Sequence, residues 1–317
     1  MNKERLKKYK ELEEKIGNTP LVKYGGNVPN GNTIWIKREC DNPFGSHYDR
    51  VYFALYKHFE ENRGLQPGMN VLETTSGTAG VSFAGIGKFL GYDDCYVMVP
   101  DGKITQKRRE AIQEQGGILI PTPENEWIQG FPKRIGSYKQ KLDAKFLNHS
   151  MGRRISGTNE YENNETTLSS LEPIAEEVLK QINPDIYVCG IGNGSSVVGP
   201  GRIFRQHNPE IQIIGYKPKE SGKNDTPGLV NQDGLNPENR IRFPHIREAN
   251  SIMNKEVIFS HLSANDGLPC WDMELELGNQ KDLGRTARAG IAVALAEAKK
   301  VHGKNILILG YDNIKRY

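Results

Sequence analysis

Apolar residues recur along this chain in two alternating patterns. From about residue 33 onward, short apolar runs are repeatedly followed by longer segments in which apolar positions lie three or four residues apart. Short runs of this kind predict buried strands, and the longer segments predict amphipathic helices. Their alternation is typical of parallel sheets covered by helices, so the pattern predicts an α/β fold.

The predicted elements form two series. In the first, strands at 33–37, 70–73, 95–99 and 118–120 alternate with helices at 51–59, 78–90, 104–115 and 127–142. In the second, a helix at 171–182 precedes a strand at 186–189, a helix ending at 205, a strand at 211–216, a helix at 287–301 and a last strand at 305–309. Residues 1–15 predict a short surface helix, because Leu6, Tyr9 and Leu12 are spaced by three.

The length of the chain predicts two domains. At 317 residues it exceeds the size at which one hydrophobic core stops growing. Polar stretches without a visible period occur at 148–167 and 218–254, and the first is the expected crossing between domains. We therefore expect two doubly wound domains with mostly parallel sheets, spanning residues 1–150 and 151–317, with residues 16–40 crossing to the other sheet.

Composition and charge exclude several classes of protein. No apolar run approaches the length of a spanning helix, and no charged-then-apolar leader opens the chain, so we expect a soluble, unexported protein. The four cysteines, Cys40, Cys95, Cys189 and Cys270, form no CxxC pair, which favours reduced thiols and the cytoplasm. The net charge of +3 is spread among mixed-sign segments, which predicts no nucleic-acid or membrane partner.

A glycine-rich loop follows the predicted strand at 186–189 and opens the next helix. This glycine loop consists of Gly190, Ile191, Gly192, Asn193, Gly194, Ser195 and Ser196. Glycines let the backbone approach an anion closely, and the exposed amides of a helix start attract negative charge. The loop therefore predicts a phosphate site, although glycine also serves tight turns alone. It matches neither the GxGxxG of a dinucleotide fold nor a P-loop, because no GK[ST] follows.

A second loop between a predicted strand and helix is rich in hydroxyl groups. This hydroxyl loop consists of Thr74, Thr75, Ser76, Gly77, Thr78, Ala79 and Gly80. Ordinary N-capping explains one Ser or Thr at such a place, but not four. We therefore expect residues 75–79 to bind the carboxylate of a substrate.

A third loop, residues 42–50, leads into the helix predicted at 51–59. Ser46 is placed to cap that helix, and His47 follows it. A single histidine is more often packed or exposed than catalytic, so these residues alone leave the role of His47 open.

No metal site or hydrolase triad is indicated. The seven histidines show no HxH, HExxH or Cys/His spacing. A Ser-His-Asp triad on an α/β sheet would call for a G-x-S-x-G elbow, which the sequence lacks.

Together, the motifs resemble those of the fold-type II pyridoxal-phosphate (PLP) enzymes, within the cysteine synthase and cystathionine β-synthase group. Residues 16–22 resemble the opening motif of that family, 75–80 its TSGNTG substrate loop, 107–109 the basic start of a helix, 192–196 its GTGGT phosphate loop, and 305–317 its closing strand and SGERY-like end. The resemblance runs over nearly the whole chain. It implies an amino-acid substrate, PLP as cofactor and a homodimer.

The resemblance also implies an altered active site. In this family a lysine in an SxKDR-like motif forms an imine with PLP and later moves the α-proton of the substrate, and here that position is His47. Imidazole forms no such imine, but it exchanges a proton near neutral pH. Thr78 stands where an asparagine would face the PLP hydroxyl, and Asn313 where a serine would meet the ring nitrogen. The Gln-Phe segment of the family is missing from the matching stretch around Ser156 and Gly157.

Two kinds of ligand remain open for this site. PLP held noncovalently is one, and another phosphate-bearing ligand in the same place is the other. The residues expected around the ligand are Gly192, Asn193, Gly194, Ser195, Ser196, Thr78 and Asn313. Lys217, at a strand end, is the nearest candidate for a replacement lysine, although lysines in such places are usually solvated.

Three interpretations of function follow. The leading one is a lyase or transferase that performs β-elimination or β-replacement on an amino-acid substrate, with His47 as the acid–base residue. The alternative is a catalytically inactive pseudoenzyme with a regulatory or binding role. The third, a lysine-to-histidine substitution made in the laboratory, is disfavoured by the accompanying changes at Thr78 and Asn313.

Overall fold

The computed structural model describes residues 2–102, 104–220, 226, 228–231, 243–259, 277 and 280–317. Cys270 lies outside these residues. The other three cysteines, Cys40, Cys95 and Cys189, are buried free thiols.

Helices and strands alternate along the described residues. The helices are α1 (Lys3–Glu13), α2 (Tyr48–Asn62), α3 (Ala79–Leu90), α4 (Gln106–Glu114), α5 (Pro132–Lys141), α6 (Glu165–Leu179), α7 (Ser195–His207), α8 (His245–Ile252) and α9 (Arg285–Ala298). The strands are β1 (Leu21–Lys23), β2 (Thr33–Lys37), β3 (Asn70–Thr74), β4 (Cys95–Pro100), β5 (Gly117–Thr122), β6 (Ala144–Phe146), β7 (Ile186–Gly190), β8 (Gln212–Pro218), β9 (Lys255–Phe259) and β10 (Asn305–Leu309).

The strands form two sheets. One has the order β5-β4-β3-β6 and is parallel throughout. The other has the order β1-β2-β10-β7-β8-β9 and is parallel except for β1, which pairs antiparallel with β2. The early strands β1 and β2 thus belong to the same sheet as the late strands. The predicted α/β fold with mostly parallel sheets is confirmed.

Several elements differ from the sequence prediction. β6, α8 and β9 lie in or beside stretches that show no hydrophobic period, and their strands are short or half exposed. The helix expected from residue 127 begins at Pro132, because Trp127 has a φ of 45° that interrupts the helical path. α6 begins at Glu165 rather than at 171, where the Asn164 side chain caps it by accepting the Thr167 amide.

Hydrophobic side chains fill the space between each sheet and its helices. Val71 and Val97 of the four-stranded sheet pack with α2 and α3 in a core that continues to Tyr187 of β7. Ile36, Val188 and Ile308 anchor a second core on the other face of the six-stranded sheet, against α9. No helix of the described ranges is long and apolar enough to cross a bilayer.

A buried cluster of charged side chains connects the end of β2 and the first turn of α2 with α6. Arg50 of α2 forms paired hydrogen bonds of 2.7 to 2.9 Å with Glu39 and with Glu177 of α6. The Lys37 ammonium, at the end of β2, lies 2.5 Å from Glu177 and also donates to the Thr19 carbonyl. We call Lys37, Glu39, Arg50 and Glu177 the charge cluster. Burial alone would raise the pKa of Glu177, but hydrogen bonds from Arg50 lower it to about 2.

Removing one charge from this cluster is expected to destabilise the fold. Glu177→Gln should lower the free energy of unfolding by about 3 kcal/mol, because Glu39 would then be the one carboxylate of the cluster facing two buried cations, Lys37 and Arg50. The measurement is the urea midpoint followed by circular dichroism. The matched control is Glu176→Gln, one residue earlier on α6 but exposed, which should shift the midpoint little. Equal shifts for both variants would show that the cluster contributes nothing specific.

Candidate active site

The predicted loops meet at one central cavity. The cavity opens where β3, β6, β7 and β10 end, and with its mouth it encloses about 1080 Å³. Ligands of parallel sheets bind beyond the carboxyl ends of the strands, so this is the expected place for a site. Residues from several elements line it, among them His47, Tyr48, residues 74–79 of the hydroxyl loop, Arg108, His149, Ser150, Gly192, Asn193, Ser195, Ser196, Tyr311, Asp312 and Tyr317.

The glycine loop presents unpaired amides to the cavity. The backbone amides of Gly192, Asn193, Gly194 and Ser196 donate no hydrogen bond within the described residues. The Asn193 side chain accepts from the Ser195 amide and hydroxyl, which leaves its buried Nδ2 without a partner in the same part of the chain. Amides at the start of α7 suit an anion. Of the seven glycine-loop residues, Ile191 and Gly194 do not line the cavity; the φ of 93° at Gly194 shapes the turn.

The hydroxyl loop lies across the cavity at the start of α3. Its Thr75 amide donates to the Met98 carbonyl, which fixes the loop to β4, and the Gly77 amide donates to the Thr75 hydroxyl. Thr78 stands at the N-cap position but makes no capping hydrogen bond; instead its hydroxyl donates to Asp312 at 2.7 Å. Ordinary capping therefore does not explain these hydroxyl groups. The backbone amides of Thr78 and Ala79 find no partner among the described residues.

His47 lies at the start of α2 and faces the cavity. Its side chain is 7% exposed, and its Nδ1 atom has no hydrogen-bond partner within the described residues. The ring packs 4.1 Å from the Tyr48 ring and 5.2 Å from the Tyr311 ring, measured between centroids. Burial lowers the pKa of His47 to about 4, against the opposing charge of Glu39, so the imidazole is neutral near pH 7.

The structure corrects the expectation for Asn313. This residue does not line the cavity, because its side chain turns away to accept the Lys315 amide at 2.9 Å. The preceding residue, Asp312, faces the cavity instead, since successive residues of an extended segment point to opposite sides. Asp312 accepts from Thr78 and from the Tyr317 hydroxyl at 3.0 Å. Arg108 lies 3.6 Å from the same carboxylate and stacks on the Tyr317 ring.

No lysine of the described residues lines the cavity. Lys217, the candidate replacement, forms an ion pair of 2.7 Å with Glu256 on the neighbouring strand β9. Lys37 belongs to the charge cluster. Both amines are therefore occupied elsewhere.

Sequence reasoning missed His149 and Ser150. The Gln-Phe segment of the family is missing from the stretch around Ser156 and Gly157, which corresponds to it by position. Both residues are exposed, and neither lines the cavity. The cavity wall at this place is built by the residues that follow β6, including His149 and Ser150. Their position depends on β6, a parallel strand that carries its carboxyl end to the site, but three residues are too few to show a strand period in the sequence.

One group of possible metal ligands occurs within the described residues, away from the cavity. It consists of Cys40, Asp41 and Asp282. Arg38 donates to both carboxylates, at 2.8 and 2.9 Å to Asp41 and 2.6 Å to Asp282. A guanidinium group thus already supplies the positive charge that a metal ion would bring.

Comparison with known proteins places this geometry in a family. Residues 12–263 match the family described as pyridoxal-phosphate dependent enzyme. Cysteine synthase B of Campylobacter jejuni is 27% identical, with 98% of each chain covered. Cysteine synthase B of Salmonella typhimurium is 28% identical over 69% of this chain and 68% of its own length. Cystathionine β-synthase of Apis mellifera is 27% identical over 95% of this chain but only 59% of its own.

Solved structures share the fold. O-ureido-L-serine synthase has a TM-score of 0.79 and 22% identity, with 96% of this chain and 92% of that chain covered. Cysteine synthase of Entamoeba histolytica has a TM-score of 0.75 and 24% identity, with 96% and 88% covered. The chain belongs to the pyridoxal-phosphate dependent enzyme family, as a fold-type II member of the cysteine synthase type.

Proposed function

We propose that this protein is an atypical lyase or transferase that acts at the β-carbon of an amino-acid substrate, with PLP held noncovalently and His47 as an acid–base residue. The observation that carries the proposal is the composition of the cavity wall. The glycine loop and the hydroxyl loop face one space, His47 presents an unpartnered Nδ1 to it, and no lysine of the described residues lines it.

The described residues fit the phosphate end of PLP. Four unpaired amides and the orphaned Asn193 Nδ2 surround the start of α7 and supply the donors that a phosphate needs. The path of the loop requires glycine at position 192, because a Cβ there would lie 2.7 Å from the Gly228 carbonyl oxygen. When bound, PLP would supply an electron sink for charge that develops on the substrate.

The protein supplies binding, orientation and proton handling. The Thr78 and Ala79 amides, at the positive end of α3, suit the substrate carboxylate. Asp312 accepts hydrogen bonds from Thr78 and Tyr317, and these bonds hold the three side chains together in the cavity wall. His47 is neutral and shielded from water, so its Nδ1 can accept or return a proton over a short distance.

Two other assignments use the same cavity. The first is a different phosphate-bearing ligand in place of PLP, since the donors of the glycine loop recognise phosphate rather than a ring. The second is a pseudoenzyme that binds a ligand without turnover, which the missing lysine favours.

The buried, free Cys40, Cys95 and Cys189 support a reducing, cytoplasmic setting. The homodimer is carried over from the family resemblance and is tested by light scattering.

Blocking the glycine loop should weaken ligand binding. Gly192→Ala is expected to reduce PLP affinity about tenfold or more, because over-packing against the Gly228 backbone costs about 1–3 kcal/mol. Isothermal titration with PLP, and separately with inorganic phosphate, measures the effect. Gly136→Ala on α5, where an added Cβ meets nothing within 4 Å, is the control. Unchanged affinity for Gly192→Ala would place the phosphate elsewhere. Phosphate binding without PLP binding would point to the other ligand.

Restoring lysine should convert reversible binding to covalent attachment. After borohydride treatment and denaturation, the wild-type protein is expected to carry no added mass, whereas His47→Lys should gain one reduced cofactor by mass spectrometry. The wild type should nevertheless turn over an O-activated serine, either by eliminating its β-substituent to give a 2-oxo acid and ammonia or by replacing it. Its visible spectrum with PLP is recorded in parallel.

The matched control for this experiment is His58→Lys, which changes a partly exposed histidine on the same helix, α2. It should gain no mass. Fixation of PLP to the wild-type chain would reveal another attachment lysine and overturn noncovalent binding. Noncovalent binding of PLP by the wild type without turnover of any amino acid would favour the pseudoenzyme.

A further inference from the structure

A carboxylate, an imidazole and a hydroxyl form a chain of contacts on the side of the cavity where β3 and β6 end. They belong to Glu73, His149 and Ser150, and the last two line the cavity. We propose that His149 is a second acid–base residue of this site and that Glu73 is the positioning residue that orients and supports it. The inference rests on the proposed function, because both concern reactions in the same cavity.

The Glu73 carboxylate is buried and accepts hydrogen bonds from two backbone amides. It is fully buried on β3; its Oε1 accepts the Thr74 amide at 2.8 Å and its Oε2 the His149 amide at 3.2 Å. The Nδ1 atom of His149 lies 3.3 Å from the same Oε2. A buried carboxylate requires such donors, since an unpaired charge in the interior is costly. The backbone and the ring of His149 are therefore both tied to Glu73.

These contacts select one tautomer of His149. Nδ1 faces Glu73 and also lies 3.0 Å from the Tyr52 hydroxyl. Burial raises the pKa of Tyr52 well above its ordinary value, so the phenol keeps its proton. An ionised Glu73 carboxylate can only accept from Nδ1, and the Tyr52 hydroxyl oxygen accepts as readily as it donates. The hydrogen of neutral His149 thus belongs on Nδ1, and Nε2 carries the lone pair.

The lone pair of Nε2 is directed toward the cavity wall. Nε2 lies 3.1 Å from the Ser150 hydroxyl, and Ser150 is half-buried and lines the cavity. A serine hydroxyl rotates readily, so a ligand group can take its place or receive its hydrogen bond. His149 can then accept a proton from the ligand, directly or through Ser150, and return it to the product.

His47 and His149 differ in whether a carboxylate lies close enough to stabilise a positive charge on the ring. No carboxylate contacts the unpartnered Nδ1 of His47 within the described residues, and its pKa is lowered to about 4. A proton accepted by His149 produces an imidazolium beside the Glu73 carboxylate. His149 is therefore suited to hold the proton during the reaction, whereas His47 exchanges it only briefly.

The charge state of His149 depends on groups from every element packed around it. They are Glu73 of β3, Tyr52 and Tyr48 of α2, His47 before α2, and His245 of α8. Glu73 is the one anion in direct contact with the ring among the described residues. Its loss should therefore alter proton transfer more than the loss of any other neighbour.

The first test needs neither PLP nor turnover. Nitrogen-15 NMR of the histidine rings in the wild-type protein, with the His149 signals assigned from His149→Gln, should show a protonated Nδ1 and an unprotonated Nε2. Glu73→Gln should move hydrogen toward Nε2, because the new amide can donate to Nδ1. A wild-type His149 that carries its hydrogen on Nε2 would overturn the inference, whatever the fate of the proposed function.

The second test uses turnover. With the wild-type enzyme active, His149→Gln should lower kcat by at least about 100-fold with little change in KM. Added imidazole should partly restore kcat to His149→Ala, which a purely structural role would not allow. Glu73→Gln should lower kcat less.

His58→Gln is the control for a histidine outside the cavity, and circular dichroism checks the fold of each variant. Full kcat in folded His149→Gln would overturn the role of His149 and leave the proposed function intact. A wild type without any turnover would refute the proposed function, and the NMR tautomer would then decide the inference alone.

Discussion

Arg50 lies between Glu39 and Glu177 in the interior and forms paired hydrogen bonds with both carboxylates. Through these bonds, and through Lys37, the charge cluster ties α2 to α6 and to the end of β2. His47 precedes Arg50 by three residues, less than one helical turn. The position of the imidazole therefore depends on charges that lie outside the cavity wall.

The two ends of the cavity are built in different ways. At the glycine loop the donors are mainly backbone amides, so they depend on the path of the chain more than on side-chain identity. At the opposite end the chemistry belongs to side chains, namely Thr78, Arg108, Asp312 and Tyr317. Substitution can alter the second end while it leaves the first intact. A chain can in this way keep the family fold and its loop amides while the side chains around the cavity change.

The sequence predicted what depends on local pattern. The strand-to-helix loops at 74–79 and 190–196 stand out because hydroxyl and glycine residues interrupt an apolar period, and both line the cavity. His149 and Asp312 could not be found in this way. His149 follows the three-residue strand β6, too short to show a period, and the choice between Asp312 and Asn313 depends on which side of an extended segment faces inward.

The proposed noncovalent binding would have a thermodynamic consequence. A tethered cofactor remains with its protein, but a ligand held by hydrogen bonds exchanges with the free pool, so occupancy follows its concentration. Binding to the folded state alone adds stability, about 2.7 kcal/mol when free ligand exceeds the dissociation constant by 100-fold. The lifetime of the folded protein in the cell would then rise and fall with the supply of its ligand.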